Sequence, residues 1–285
     1  TPPANSLLST LTEHQLEFPL VLELCGDCGN LQLRDCLSNE DLYRNYLYIT
    51  PESDTLMGHY EYLTKFLLSN NYISNSTNVI EVGSNIGHYL SYLKPYVRSI
   101  LGIDPAENVC TMANAKGIET HCAFFNNDTA EIIRASKGAA NAIIARHCFA
   151  HNADPHSLLK GVKSLLAKNG VAVIENAYAL NTIENNEFDQ IYHEHMFYFS
   201  IRSMSKALEL NGLVLVDILI SLVHGGSIVF VARHAEEHPM AAKSVHAHLI
   251  YEKDRLNEEA YLKFAANAFK IKKDLMKLIS DIVNE

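Results

Sequence analysis

The sequence Asn78-Val-Ile-Glu-Val-Gly-Ser-Asn-Ile-Gly-His88 decides the fold predicted for this chain of 285 residues. It reads as a short apolar strand that ends in an acid, turns on two glycines and continues as a helix. The next apolar strand, Ile100-Leu-Gly-Ile-Asp104, also ends in an acid. In doubly wound α/β folds such a glycine turn binds a nucleotide, and an acid closing the second strand suits a ribose diol. The two stretches therefore predict a nucleotide-binding pocket.

Strand and helix patterns alternate along most of the chain, which predicts a mostly parallel sheet flanked by helices. A final strand follows Ser221–Gly226 with no helix between, so it should pair antiparallel with its predecessor. Seven strands with an antiparallel last one are the topology of the class I methyltransferases. The predicted strands span 78–82, 99–104, 119–125, 141–145, 171–175, 213–220 and 227–232, and the predicted helices span 88–96, 107–116, 128–135, 155–168 and 203–210.

Composition narrows the class of ligand. The net charge of -10, with no Lys/Arg cluster, argues against a nucleic-acid or anionic-membrane surface and favours a small-molecule substrate. The chain has no run of eighteen apolar residues, and its first residues lack a signal-peptide pattern, so we expect a soluble, cytoplasmic protein. Six irregularly spaced cysteines are typical of reduced thiols. The sequence does not indicate an oligomeric state.

The pattern divides the chain into four segments: 1–37, a small β segment; 38–75, a tyrosine-rich helical lid; 76–235, the methyltransferase domain; and 236–285, a helical extension. In the first segment, Phe18–Leu24 alternates like a strand, and Cys25-Gly-Asp-Cys-Gly29 has the shape of a zinc-knuckle turn. A closed zinc site needs four ligands, whereas Cys25 and Cys28 supply two. Two alternatives stay open here, half of a zinc site or two reduced cysteines in a β-turn.

The glycine turn favours S-adenosylmethionine over a dinucleotide, because Ser84 and Asn85 stand where a pyrophosphate loop requires glycine. A sulfonium ligand needs only close backbone approach, a carboxylate near its positive end and an acid for the ribose. The alternative is a βα turn with a purely structural role. The predicted cofactor-binding residues are Glu81, Gly83, Ser84, Asn85, Gly87, Asp104 and Arg146.

A second informative stretch, Asp189-Gln-Ile-Tyr-His-Glu-His-Met-Phe-Tyr-Phe-Ser200, follows the fifth strand, and His151 follows the fourth. Both positions lie at the carboxyl ends of the strands, where ligands bind. His193-Glu-His195 lacks the i, i+4 spacing of zinc proteases, so we favour acid–base use over a metal site. An imidazole can remove a proton next to a carbonyl, which favours a carbon nucleophile over oxygen or nitrogen.

Several motifs together resemble the nucleotide-sugar C-methyltransferases of deoxysugar biosynthesis. They are Phe18-Pro-Leu with Cys-x-x-Cys-Gly, Tyr46-x-Tyr, Glu81-Val-Gly-Ser-Asn-x-Gly, Tyr192-His-Glu-His-x-x-Tyr-Phe-Ser200 and His224-Gly-Gly-Ser227. The resemblance implies methylation of C-3 of a nucleoside-diphosphate-linked 4-keto-6-deoxy sugar by S-adenosylmethionine. It implies that His195 is the base, that Glu194 and Tyr192 position it and the substrate, and that His151 and Tyr46 contact the sugar.

The chain departs from that family in three places. The family has two Cys-x-x-Cys pairs, of which only Cys25 and Cys28 are expected here, and the chain is expected to end near the helical linker before a further Rossmann-like domain. Ile86 also stands where the glycine loop of the family commonly has an acid. Two alternatives to a sugar C-methyltransferase therefore stay open: an oxygen or nitrogen methyltransferase of another small metabolite, or an inactive remnant that binds S-adenosylmethionine.

Overall fold

The computed structural model describes residues 1–4, 10, 14, 15, 17–43 and 48–284. Tyr46, which the family resemblance places against the sugar, lies outside these residues. Helices and strands alternate through the middle of the chain, as the apolar pattern predicts. These elements are β3 Asn78–Val82, α3 His88–Leu93, β4 Ser99–Asp104, α4 Glu107–Ala115, β5 Thr120–Cys122, α5 Asn127–Lys137, β6 Ala140–Arg146, α6 Pro155–Leu165, β7 Leu166–Ala177, α7 Ala179–Glu184, β8 Phe197–Tyr198, α8 Ile201–Leu210, β9 Leu213–Ser221 and β10 Ser227–His234.

Seven of these strands form one sheet in the order β5-β4-β3-β6-β7-β10-β9. The first five run parallel, and β10 pairs antiparallel with both β7 and β9. The strands β3 and β6 are apolar and almost fully buried, as expected for parallel strands that helices cover on both faces. The predicted class I methyltransferase fold, a seven-stranded sheet with an antiparallel last strand, is therefore confirmed.

Several element boundaries differ from the prediction, and strand pairing explains two of the differences. The helix predicted to reach Lys168 ends at Leu165, because Leu166 already pairs with Ala140 in the parallel ladder and Asn169 has a positive φ of 60° that a helix does not accept. The predicted strand 119–125 is reduced to β5, Thr120–Cys122, because only these residues pair with β4.

A second sheet joins the beginning of the chain to the middle. It has the order β1-β2-β8, where β1 is Leu22–Leu24 and β2 is Leu31–Leu33. The strand expected over 18–24 is thus confined to its last three residues. Leu31 of β2 lies opposite Tyr198 of β8, immediately after the Tyr192–His195 block. The helices α1 (Asn39–Tyr43) and α2 (Asp54–Ser69) follow, and the Ser53 hydroxyl caps α2 by accepting the Leu56 amide at 3.3 Å.

The carboxyl-terminal segment consists of α9, Lys243–Lys253, and α10, Glu258–Asn284. Glu252 of α9 is 3% exposed and accepts hydrogen bonds from the backbone amides of Ile201 and Arg202 at 2.7 and 3.0 Å and from the Tyr178 hydroxyl at 2.9 Å. A carboxylate at a helix N-terminus satisfies amides that have no partner within the helix. Glu252 therefore fastens this segment to α8. None of the described helices is long and apolar enough to cross a membrane.

We expect Glu252→Ala to lower the free energy of unfolding by about 2–4 kcal/mol, because one buried amide, one partly buried amide and one buried hydroxyl would lose a charged acceptor. Urea denaturation followed by circular dichroism measures the change. Asp274→Ala, which removes an exposed carboxylate of α10, is the control and should change stability by less than about 0.5 kcal/mol. Equal stabilities of the two variants would contradict this role of Glu252.

Candidate active site

A cavity of about 600 Å³ opens at the carboxyl ends of β3, β6 and β7. It lies where the strand order reverses, between the parallel neighbours β3 and β6, which is the usual ligand crevice of an open α/β sheet. Both the glycine turn and the Tyr192–His195 block contribute to its wall. The predicted site residues that line it are Gly83, Ser84, Asn85, Asp104, Arg146, His151, Tyr192, Glu194 and His195.

The glycine turn is held by close packing. Gly83 has a φ of 67°, and a Cβ atom there would lie 2.6 Å from the Cβ of Cys148. Gly87 has a φ of 76°, and a Cβ atom there would lie 2.6 Å from Ile118. Both positions therefore require glycine for conformation and for space. Gly87 packs against Ile118 and does not line the cavity.

Two residues of the pocket edge are fixed by hydrogen bonds. Both oxygens of the Asp104 carboxylate accept backbone N–H groups, from Asn85 at 2.9 Å and from Ala106 at 3.0 Å. Burial raises the pKa of Asp104, and these two hydrogen bonds oppose the increase. The side chain of Asn85 contacts the segment after α1, since it donates to the Tyr48 carbonyl and accepts from the Thr50 amide.

Glu81 and Arg146 form a buried ion pair rather than two separate ligand contacts. The Nε of Arg146 lies 2.9 Å from Glu81, and its guanidinium packs over the rings of Tyr60 and Tyr89. Glu81 is 1% exposed and is not among the cavity-lining residues. Its predicted interaction with the positive end of the cofactor would therefore be electrostatic, without direct contact.

His195 is held in one tautomer. Its Nδ1 lies 2.9 Å from the Gln190 carbonyl, which can only accept, so Nδ1 carries the proton. The other nitrogen, Nε2, then has a lone pair, and the Tyr192 hydroxyl donates to it at 2.8 Å. Burial lowers the pKa of His195 to about 4. The imidazole is therefore neutral near pH 7 and can accept a proton at Nε2.

His151 and Glu194 lie beside this base. The His151 ring is 4.9 Å from that of His195 and stacks on Tyr43 at 5.9 Å. Burial lowers the pKa of His151 well below its ordinary value. Glu194 is 4% exposed, and its backbone carbonyl accepts from the Tyr43 hydroxyl at 3.4 Å. His193 of the same block points elsewhere, toward the Pro19 carbonyl at 3.2 Å.

A second polar cluster lies at the same edge of the sheet, outside the set of residues predicted from the sequence. His59 lies 2.7 Å from Glu175, a fully buried residue of β7, and His147 lies 3.8 Å from the same carboxylate oxygen. Burial alone would raise the pKa of Glu175, but the contact with His59 and the charges of His147 and Arg146 lower it to about 2. The position of Glu175 near the carboxyl end of a predicted strand is the signal that could have identified it.

Cys25 and Cys28 lie in a tight turn in which the Gly29 amide donates to the Cys25 carbonyl at 2.9 Å. Arg202 of α8 donates to the Asp27 carbonyl in the same turn at 3.0 Å. Within the described ranges, no group of three or more His, Cys, Asp or Glu side chains is arranged to hold a metal ion. The two cysteines therefore remain a predicted half-site.

Comparison with known proteins supports the fold and the type of chemistry. Residues 56–218 match a family model described as "Methyltransferase domain", and residues 222–285 match one described as "C-methyltransferase C-terminal domain". C-methyltransferase NovU of Streptomyces niveus is 35% identical over 241 residues, which are 84% of this chain and 57% of that protein. This chain thus spans a little over half the length of that relative. The chain is therefore a homologue of S-adenosylmethionine-dependent C-methyltransferases, as the sequence motifs predict.

Solved structures of methyltransferases also align with the chain. An S-adenosylmethionine-dependent methyltransferase from Clostridium acetobutylicum is 11% identical, with a TM-score of 0.48, and the alignment covers 67% of this chain and 94% of that one. Magnesium protoporphyrin IX methyltransferase from Synechocystis, with bound SAH, is 14% identical, with a TM-score of 0.47, and the alignment covers 65% of this chain and 90% of that one.

We expect His195 to titrate with a midpoint near pH 4 in the folded chain, because burial disfavours the imidazolium. NMR of histidine-labelled protein, with His195→Gln to assign the signal, measures the midpoint. The unfolded chain binds this proton first, at a pKa of about 6.5, so the contribution of His195 to stability is complete above pH 6.5 and is lost as the pH falls toward 4. The chain denatured in urea is the control, and a midpoint near 6.5 in both states would refute the expectation.

Proposed function

This chain belongs to the methyltransferase domain family, and from that premise we propose that it methylates C-3 of a nucleoside-diphosphate-linked 4-keto-6-deoxy sugar with S-adenosylmethionine. The observation that carries the proposal is the tautomer of His195, whose unprotonated Nε2 stands in the same cavity as the glycine turn. A neutral base in that place is suited to removing a proton from a carbon next to a ketone. Oxygen nucleophiles need less machinery for activation.

The pocket edge around Asp104 fits the proposed cofactor. The Asp104 carboxylate, held by two amides, is oriented to accept hydrogen bonds from ribose hydroxyls. The Ser84 hydroxyl is buried and lines the cavity without a hydrogen-bond partner among the described residues, which suits a polar group of a ligand. When bound, S-adenosylmethionine supplies an electrophilic methyl group on a positive sulfur.

The residues of the chain would then act in a defined order. His195 takes the C-3 proton at Nε2, and its Nδ1–H keeps the ring in place through Gln190. The Tyr192 hydroxyl occupies Nε2 in this structure, so it must turn toward another acceptor when the substrate enters. Glu194 and His151, both at the cavity wall, are the proposed contacts of the sugar. Tyr46 keeps its predicted role as a sugar contact.

The remaining assignments extend the same proposal to the whole chain. We propose that the chain consists of the four segments predicted from the sequence, and that residues 1–37 are part of a zinc module. We also propose that the protein is cytoplasmic. A structural zinc at Cys25 and Cys28 would require ligands beyond these two. The zinc content of the purified chain measures that part of the proposal directly.

Asp104→Asn should weaken binding of S-adenosylmethionine about 10- to 100-fold, because hydrogen bonds to a charged acceptor contribute about 1.5–3 kcal/mol. Isothermal titration calorimetry gives the dissociation constants. Asp128→Asn, at an exposed position of α5, is the control and should bind like the original chain. If the original chain does not bind the cofactor at millimolar concentration, the proposed function is wrong.

His195→Asn should reduce turnover of a nucleotide-linked 4-keto sugar about 10²- to 10⁴-fold, which is the usual contribution of a general base. Methyl transfer is followed by mass spectrometry of the product. His121→Asn changes an exposed histidine of β5 and should retain full activity. Turnover by His195→Asn within threefold of the original rate would exclude His195 as the base.

A further inference from the structure

Asn176 is a buried amide at the active site that the proposed mechanism has not yet used. It lies near the carboxyl end of β7, lines the cavity and is 1% exposed. Its Nδ2 group has no hydrogen-bond partner among the described residues. Leaving such a donor unpaired costs about 1–3 kcal/mol, so an orphan amide at the wall of a cavity points to a ligand that completes it.

The orientation of this amide is determined by the backbone. The Oδ1 of Asn176 accepts the N–H of Ala150 at 3.3 Å. A rotated amide would place Nδ2 against that N–H, so two donors would face each other. The unpaired atom is therefore a donor, and an oxygen atom is the ligand group that it fits.

The same backbone residue connects Asn176 to the base. The Ala150 carbonyl accepts the amide of Met196 at 3.0 Å, and Met196 directly follows His195. Ala150 also precedes His151, whose ring lies 4.9 Å from that of His195. The backbone of Ala150 thus bonds both to Asn176 and to the residue that follows the base, which joins the two parts of the site in one framework.

We infer that Asn176 donates a hydrogen bond to the ketone oxygen of the substrate and stabilises the enolate that forms there. This inference rests on the proposed function. The C-3–H bond breaks as its proton moves to Nε2 of His195, and its electron pair forms the C-3–C-4 double bond of the enolate with negative charge on oxygen. The C-3–C-4 π electron pair would then form the C-3–methyl bond as the C-4 ketone is restored, and bound S-adenosylmethionine would supply the methyl group and keep the electron pair of the broken sulfonium–methyl bond as a neutral thioether.

The neutral surroundings explain why one amide matters. Burial lowers the pKa values of His151, His147 and His195, so the nearby imidazoles are uncharged near pH 7. These imidazoles therefore act on an enolate in this cavity as oriented dipoles, and the one cation among the described residues of the cavity wall, Arg146, is already paired with Glu81. Removing one donor of this kind from an oxyanion site typically costs about 10²–10³-fold in rate.

The test is exchange of the C-3 proton of dTDP-4-keto-6-deoxyglucose in deuterated water, measured by NMR without the methyl donor. Asn176→Leu should slow exchange about 10²–10³-fold and leave the calorimetric Kd for S-adenosylmethionine within threefold of the original value. Asn211→Ala is the control. It removes another buried amide, which bonds to His156 and to the Ala207 carbonyl, and it should exchange within threefold of the original rate.

Asn176→Asp provides a readout that a structural role would not change. The carboxyl keeps an acceptor for Ala150 and loses the donor when ionised, whereas its protonated form can donate again. Exchange by this variant should rise relative to the original chain as the pH falls from 8 to 5.5. Exchange by Asn176→Leu within threefold of the original rate, or a loss confined to cofactor affinity, would overturn the inference. An original chain that exchanges no C-3 proton would instead refute the proposed function.

Discussion

The parallel pairing of β3 with β6 is the constraint on which the active site depends. It aligns Val82 with Ala145, so the two loops that follow leave the sheet side by side. They meet where Gly83 faces Cys148 with no room for a Cβ atom, and the Cys148 thiol donates to the Val82 carbonyl at 3.1 Å. A side chain at Gly83 would separate the glycine turn from the loop that carries His147 and His151. The relative position of the glycine turn and these two histidines follows from this contact.

The sequence predicts the elements whose signals are local. The bounds of β3 and β4 agree with the predicted ranges, and Ser53 and Asp154 are capping residues of α2 and α6. Apolar runs and capping residues act over a few positions, so one sequence reveals them. The pairing of β2 with β8 has no such signal, because β8 is two residues long and its partner lies more than 160 positions earlier.

The candidate site is also predictable only where the signals are local in the sequence. The rule that ligands bind at the carboxyl ends of strands locates Asp104, His151 and His195, all of which line one cavity. It does not give the direction of a side chain. Glu81 lies near the end of its strand, as expected, but its side chain pairs with Arg146. Asn176 is recognised as an unpaired donor only once its hydrogen bond with the Ala150 amide is known. Orientation depends on partners distant in the sequence, which a single chain does not reveal.

The buried charges near the cavity should affect cofactor binding more than the rate of methyl transfer. Arg146 pairs with Glu81 and also helps to lower the pKa of Glu175 to about 2, so two carboxylates share this guanidinium beside His59 and His147. Such a field favours a positively charged sulfonium over the neutral thioether left after methyl transfer, so it favours cofactor entry and product exit. The positive charge is already dispersing in the transition state. Because only interactions that strengthen in the transition state raise the rate, Glu175 would serve affinity, and acceleration would fall to groups that act on the acceptor carbon and its oxygen.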